Sequence, residues 1–221
     1  MASLFGKVGE LSILASGHGG LSEEDARILR GLRAGIEGAY EELIEKYEQP
    51  VYSLVYRLTG NPSDACDVAQ EVFLKVFRGV HAFREQSSLR TWIYRIAVNE
   101  AHNRHRWWVR HGRREVSIER DTETGEARAE LARDPGRSPY DQAVDSENRA
   151  LLERALAQVK PLFRTAVVLR DVQNFSYEEI ADILQVSIGT VKSRILRGRE
   201  ALRKQLTTAA GRELAELMVI Y

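Results

Sequence analysis

Apolar residues recur at helical spacing in several segments of the chain, and none of these segments shows the alternation typical of a β-strand. One helix is predicted to end near Thr59, because Gly-Asn-Pro follows at 60–62. Ser63 or Asp64 is the expected N-cap of the next helix. That helix has one continuous apolar face, formed by Ala65, Val68, Ala69, Val72, Phe73, Val76 and Phe77.

A third helix is predicted after a short loop, with Ser87 or Ser88 as its cap. Its apolar side contains Leu89, Trp92, Ile93, Ile96, Ala97 and Ala101. We expect Trp92 to be a core residue because it lies on this side. The opposite side has a composition suited to phosphates and unstacked bases, with Arg90, Tyr94, Arg95, Asn99, His102, Asn103 and Arg106.

The second half of the chain predicts three further helices before a basic one. The first begins at Asn148, and the second begins at Pro161, a residue common at helix N-termini. Ser176 and Glu179 have capping-box spacing for the third. A break at 185–187 then precedes a basic helix, so the pattern predicts a helix-turn-helix. Its outward residues are Thr190, Lys192, Ser193, Leu196, Arg197 and Arg199, which a solvated basic helix end would also explain.

Residues 112–147 lose this periodicity and contain several glycines and prolines. We therefore predict an all-α protein of two small helical domains joined by a flexible acidic linker. The expected division is an N-terminal extension at 1–23, a first domain at 24–111, the linker at 112–147, a helix-turn-helix domain at 148–208 and a tail at 209–221.

The 221 residues carry 32 basic and 32 acidic side chains, so the net charge is zero, but the charges are segregated. The segment 84–114 has eight arginines against two glutamates, and 188–204 has six bases against one acid. Between them, 115–147 has ten acids against four bases. Two basic blocks separated by an acidic one predict two contacts with a polyanion.

Cys66 is the only cysteine, which excludes an internal disulfide, and we expect it to be a buried or half-buried thiol. No run is apolar for the length of a membrane span, and the N-terminus does not resemble a signal peptide, so a cytoplasmic location is expected. No phosphate loop, nucleophile elbow or zinc-protease motif is present. We therefore expect no enzyme activity, no metal site and no cofactor.

Two motif sets carry a resemblance to a known family. The segments 64–77 (DACDVAQEVFLKVF) and 83–99 (FREQSSLRTWIYRIAVN) closely resemble region 2 of the extracytoplasmic-function sigma factors of the sigma-70 family. The segments 176–181 (SYEEIA) and 189–194 (GTVKSR) resemble region 4 of the same family. Both sets occur in the family's order and spacing.

The resemblance implies a transcription initiation factor whose partners are core RNA polymerase and promoter DNA, duplex at the minus 35 element and single-stranded at minus 10. It assigns polymerase binding to Asp67, Gln70 and Glu71. Without the resemblance, this polar face could equally be a docking surface or a helix face that only contacts solvent. It assigns minus 10 contact and promoter opening to Phe83, Arg84, Ser87, Ser88, Tyr94, Arg95, Asn99 and Asn103. It assigns minus 35 reading to Thr190, Lys192, Ser193, Leu196 and Arg197.

Many relatives are held by an anti-sigma protein, so such a partner is also expected. Many have arginine at the Lys192 position and alanine at the Gly198 position. Two other classes of function stay open at this point. A two-domain regulator that binds duplex DNA without polymerase would explain the helix-turn-helix, and an RNA-binding factor would explain the basic blocks.

Overall fold

The computed structural model describes residues 21–111 and 149–219. These residues form helices and connecting turns with no strand, in two helical regions, which confirms the all-α fold class. The predicted linker at 112–147 lies outside the described residues, as do the first 20 residues. No helix in the described ranges is long and apolar enough to cross a membrane.

The first unit contains four α-helices. These are α1 (Glu23–Arg33), α2 (Glu37–Thr59), α3 (Pro62–Gly79) and α4 (Leu89–His111), with a 3-10 turn at Val80–Ala82 between the last two. The prediction that α2 ends near Thr59 is confirmed, and Gly60 ends it in the left-handed conformation at φ 73°. Ser88 caps α4, because its Oγ accepts from the amide of Thr91 at 3.0 Å.

Three expectations for α3 are wrong. Its N-cap is Asn61, whose side chain accepts from the Asp64 amide, because Pro62 can occupy the first helical position without losing a hydrogen bond. Phe77 is 55% exposed, since it lies near the end of the helix, and its ring packs nearly perpendicular to that of Tyr40. Cys66 is exposed rather than buried.

The second unit begins with a helical segment at 149–157, termed α5. It continues with α6 (Pro161–Val167), a π-helical turn at Val168–Val172, α7 (Tyr177–Leu184) and α8 (Ile188–Val219). Both capping groups of the predicted box at Ser176 and Glu179 are present, at 3.1 and 2.8 Å. The backbone of α8 stays helical to Val219, beyond residue 208, the predicted end of this domain.

Helices α6 and α8 pack at unusually close range around Gly198. A Cβ at this position would lie 2.9 Å from the carbonyl oxygen of Phe163 and 2.5 Å from Cγ2 of Val167. The absence of a side chain therefore sets how closely the helix-turn-helix approaches its supporting helix.

The two units contact each other, which the sequence pattern did not predict. Helix α4 packs against α7, and α2 contacts α6 and the π-helical turn. The buried apolar residues of both units form a single continuous cluster. We call this packing the closed arrangement.

Candidate functional site

The first candidate surface lies on the first turns of α8. The tight turn before it places Gln185 in the left-handed conformation at φ 53°, and Ser187 caps the helix through a 3.3 Å bond from the amide of Thr190. Thr190 is half-buried by this contact. The four remaining predicted residues are all exposed, and they share the outer side of the helix: Lys192, Ser193, Leu196 and Arg197.

Arg199 also lies on α8, but it is occupied within the protein. Its Nε and Nη2 donate to the two carboxylate oxygens of Asp171 at 2.9 and 2.5 Å. This bidentate pair joins α8 to the π-helical turn. The sequence pattern grouped Arg199 with the outward cations, and the pairing with Asp171 could not be read from helical spacing.

The second candidate surface is the polar face of α3, formed by Asp67, Gln70 and Glu71. Asp67 and Gln70 are exposed, and Glu71 is half-buried. Arg104 of α4 donates to Asp67 at 2.6 Å and to Asp64 at 2.8 Å. The guanidinium therefore orients the Asp67 carboxylate while leaving it accessible.

Lys75 borders the same face. Its Nζ lies 2.7 Å from Glu100 of α4 and 3.8 Å from Glu71. The α3 face thus forms a network of alternating charges braced by α4, rather than an isolated acidic patch. Neither Arg104 nor Glu100 was singled out from the sequence, because both lie on a different helix from the face they support.

The third candidate surface is the loop before α4. Arg84 is exposed, and Ser87 and Ser88 are half-buried. Phe83 is only 5% exposed and its ring stacks on Trp92 at a centroid distance of 4.8 Å, so Trp92 packs on the core as predicted. The carbonyl oxygen of Phe83 accepts from Arg33, which also pairs with Glu85.

Tyr94 of α4 is 1% exposed, so the prediction that it lies on a solvent-facing side is wrong for the closed arrangement. The reason is the second unit, which covers it. Its hydroxyl donates to Oε1 of Gln173 at 2.8 Å, and its ring meets that of Phe175 edge-on at 4.8 Å. Arg90 completes the contact, with Nη2 donating to the Gln173 carbonyl at 2.6 Å and its guanidinium 4.0 Å above the Phe175 ring.

Phe175 and Gln173 were not predicted to take part in any site. Phe175 directly precedes the Ser176 cap, a position where an apolar residue commonly packs on its own helix. That signal indicates burial, but it does not identify the opposite unit as the partner. Asn174, between them, has φ 57°, which turns the two side chains toward α4.

The amides further along α4 stay accessible. Asn99 and Asn103 are exposed, and Arg95 is half-buried. Oδ1 of Asn103 accepts a hydrogen bond from Arg106 at 2.5 Å, and its Nδ2 donates to Glu100 at 3.4 Å. The described face of α4 is thus divided into a covered part at Tyr94 and an open part at Asn99 and Asn103.

The described residues hold no group of three or more histidine, cysteine, aspartate or glutamate side chains that could bind a metal ion. The chemistry of the three surfaces consists of cations, carboxylates, amides, hydroxyls and apolar groups. Such surfaces bind and position other macromolecules.

Comparisons with known proteins agree with this chemistry. The family model "Sigma-70 region 2" matches residues 43–110, and "Sigma-70, region 4" matches residues 149–202. The chain is 35% identical to the RNA polymerase sigma-H factor of Pseudomonas aeruginosa over 185 residues, covering 83% of this chain and 94% of that protein.

It is 36% identical to the ECF RNA polymerase sigma-E factor of Escherichia coli K12 over 184 residues, covering 80% of this chain and 92% of that protein. A similar fold occurs in the sigma factor RpoE from Bartonella quintana, solved in complex with the anti-sigma factor NepR. The TM-score is 0.57 at 22% identity, covering 76% of this chain and 96% of that one.

Proposed function

The chain belongs to the extracytoplasmic-function group of the sigma-70 family, and from this premise we propose which of its surfaces serve each step of transcription initiation. As an RNA polymerase sigma factor it binds core polymerase, recognises the minus 35 and minus 10 promoter elements and promotes DNA opening. In our proposal it does so by binding alone, without enzyme activity, in the cytoplasm. We also propose that the chain has two domains, one at 24–111 and one at 148–208.

Helix α8 reads the minus 35 element in the major groove of duplex DNA. The observation that carries this proposal is the shared exposure of Lys192, Ser193, Leu196 and Arg197 directly after a tight turn. A recognition helix contacts base edges with the residues near its N-terminus. Arginine and lysine donate to guanine, and an apolar side chain contacts the thymine methyl group.

The polar face of α3 binds core polymerase through Asp67, Gln70 and Glu71. The ion pair between Arg104 and Asp67 supports this role, because it orients that carboxylate before the partner arrives. Lys75 lies farther from Glu71, at 3.8 Å. Preorganised side chains lose less conformational entropy on binding. Both ion pairs leave one side of each carboxylate toward solvent.

The α4 surface and its preceding loop capture the displaced strand of the minus 10 element. Asn99 and Asn103 can hydrogen-bond the edge of an unpaired base, and Tyr94 offers a ring for stacking. Arg84, Arg95, Ser87 and Ser88 surround them with phosphate donors. Phe83 supports the loop from below, since its ring is packed against Trp92.

Tyr94 can act in this way only after the two units separate. In the closed arrangement Gln173 and Phe175 occupy the place that a base would take. We therefore propose that the closed arrangement is the resting form of the free protein, and that engagement with polymerase holds the units apart. An anti-sigma protein is a further partner in this proposal, supported by the complex of the Bartonella quintana relative.

Run-off transcription tests the proposed function. Purified protein is added to core polymerase with a library of promoter fragments, and specific transcripts are expected only when both are present. Binding to duplex DNA without any transcript would instead indicate a regulator that acts without polymerase. Preferential binding to RNA without promoter-specific transcripts would indicate the RNA-binding alternative.

A further inference from the structure

The open part of α4 continues toward the C-terminal end of the helix with two exposed aromatic side chains. Trp107 is 47% exposed and Trp108 is 43% exposed, so each keeps nearly half of its surface in water. Their rings meet edge-on, with the two centroids 5.3 Å apart. Adjacent exposed apolar side chains indicate an interaction site more strongly than single ones do.

The two tryptophans have different surroundings. Trp108 borders the turn between α2 and α3, where it lines a cavity together with Asn61 and Arg104. Trp107 precedes it by one residue, so its side chain leaves the helix in a direction about 100° away. Trp108 therefore supports Trp107 at one edge, and Trp107 is the ring that lies in line with the exposed amides of α4.

Trp107 is the next member of the row that these amides begin. Asn99, Asn103 and Trp107 are four residues apart in one helix and all exposed, so they are neighbours along one side of α4. Four residues of an α-helix rise about 6 Å. Bases stacked in a duplex are only about 3.4 Å apart along each strand. The row therefore suits a strand whose bases have been drawn apart.

Two cations accompany this row. Arg106 donates to Oδ1 of Asn103 at 2.5 Å, and Arg110 donates to the backbone carbonyl of Arg106 at 3.3 Å. Neither contact neutralises a guanidinium, so both charges are available to a phosphate. The Asp67 carboxylate on neighbouring α3 is paired with Arg104 at 2.6 Å, which reduces its repulsion of a DNA backbone.

We propose that Trp107 is a stacking platform for one base of single-stranded DNA, next to the base held by Asn99 and Asn103. Every base has a flat face that can stack on an indole, so this contact adds affinity without selecting a sequence. Arg106 and Arg110 contact the phosphates of the same strand. The site rests on the proposed strand capture, which it extends by one base. Unlike Tyr94, Trp107 is exposed in the closed arrangement, so it binds a strand before the two units separate.

Tryptophan fluorescence of the full chain tests the site. The probe is a single strand of six thymidines, and an abasic strand of the same length and charge is the control ligand. We expect the thymidine strand to quench the fluorescence and the abasic strand to leave it unchanged, because only a base stacks on the indole. Equal quenching by the two strands, or no quenching by either, would overturn the proposal.

Two matched substitutions identify the ring. Trp107→Ala is expected to abolish the quenching and to weaken binding of a labelled thymidine strand about tenfold, measured by anisotropy. Trp108→Phe keeps an aromatic edge beside Trp107 and is expected to retain the quenching and the affinity. Circular dichroism checks that both variants keep their helicity. Wild-type affinity and quenching in Trp107→Ala would contradict the proposal.

A third variant separates this site from the proposed strand capture. Asn99→Ala combined with Asn103→Ala removes the amides and retains the indole, so we expect a saturating thymidine strand still to quench its fluorescence. Normal promoter opening by this variant would remove the amides from the proposed function, whereas quenching that depends on Trp107 would still establish the stacking site. A hairpin duplex that quenches as strongly as the thymidine strand would show a duplex contact and overturn the single-strand site alone.

Discussion

The hydroxyl of Tyr94 donates a hydrogen bond to Oε1 of Gln173, 2.8 Å away and 79 positions later in the chain. One partner belongs to the helix proposed to capture the opened promoter strand, and the other precedes the helix-turn-helix. The same contact thus joins the two units and covers a residue that we propose to bind DNA. Opening the closed arrangement and exposing Tyr94 are a single event.

Replacing Gln173 with alanine should favour the open form. The substitution removes the acceptor for Tyr94, and a neutral hydrogen bond contributes about 1 kcal/mol, or about fivefold in the equilibrium. Fluorescence anisotropy with a single-stranded minus 10 oligonucleotide, without polymerase, should show tighter binding. Gln185→Ala is the control, because the Gln185 side chain donates to the Asp182 carbonyl of its own turn. Equal affinities in the two variants would contradict the proposed covering role.

Charge reversal at Asp67 and Glu71 should weaken binding to core polymerase. Both carboxylates lie on the α3 face, and removing a charge-assisted contact costs about 1.5–3 kcal/mol. Titration of core polymerase with labelled protein measures the loss, and circular dichroism checks that helicity is kept. Glu41→Lys, an exposed change on α2, is the matched control. Unchanged affinity in the Asp67 and Glu71 variant would remove the α3 face from the proposal.

Arg197→Ala should weaken minus 35 binding by about 1–3 kcal/mol if the side chain reads a base. The loss should then depend on the promoter sequence. A smaller loss, equal for all sequences and accompanied by a shallower salt dependence, would indicate a phosphate contact. Arg199→Ala should behave differently, because its charge is already paired with Asp171. Electrophoretic mobility shifts across a set of minus 35 variants at several salt concentrations separate these outcomes.

Asn99→Ala combined with Asn103→Ala should impair promoter opening and spare duplex binding. Amides recognise the edge of an unpaired base, which is accessible only after the strands separate. Permanganate reactivity of minus 10 thymines in the polymerase complex reports the opening. If the double variant opens promoters normally but binds closed duplex more weakly, α4 makes an ordinary duplex contact instead.

Gly198→Ala should destabilise the second unit, although many relatives have alanine there. The new Cβ would meet backbone and side-chain atoms of α6 at 2.9 and 2.5 Å, and such overpacking typically costs about 1–3 kcal/mol. Thermal unfolding measures the change. Gly189→Ala is the control, since the nearest atom to its Cβ would be Ser187 Oγ at 4.0 Å. Equal stability of the Gly198 variant and wild type would mean that α6 and α8 separate freely.

Local features of the fold were predictable because their causes are local. The Ser176 and Glu179 cap, the Pro161 helix start and the end of α2 at Thr59 each depend on residues a few positions apart. The prediction of Ser63 or Asp64 as the N-cap of α3 is wrong by two or three residues for a similarly local reason, since Pro62 occupies the first helical position. Asp67 and Gln70 on α3, and Lys192 and Arg197 on α8, are exposed to solvent.

The relationship between the two units could not be predicted in the same way. Helical periodicity identifies which side of α4 is polar, but not that Phe175 and Gln173 cover it. Tyr94 fits a solvent-facing pattern and is nevertheless 1% exposed, because its partner is distant in sequence. The pairing of Arg199 with Asp171 could not be predicted either, because the two residues are 28 positions apart in the chain.

The ring of Phe175 meets that of Tyr94 edge-on, and the Arg90 guanidinium lies 4.0 Å from the centroid of the Phe175 ring. An aromatic neighbour and a stacked arginine are also what a nucleobase receives from a single-strand binding surface. In our proposal, Phe175 is therefore an internal substitute for the captured base. Because that substitute is tethered, its effective concentration is fixed by the geometry of the chain and does not fall on dilution. We therefore expect the site to stay covered whatever the number of copies in a cell, until a partner surface holds the two units apart.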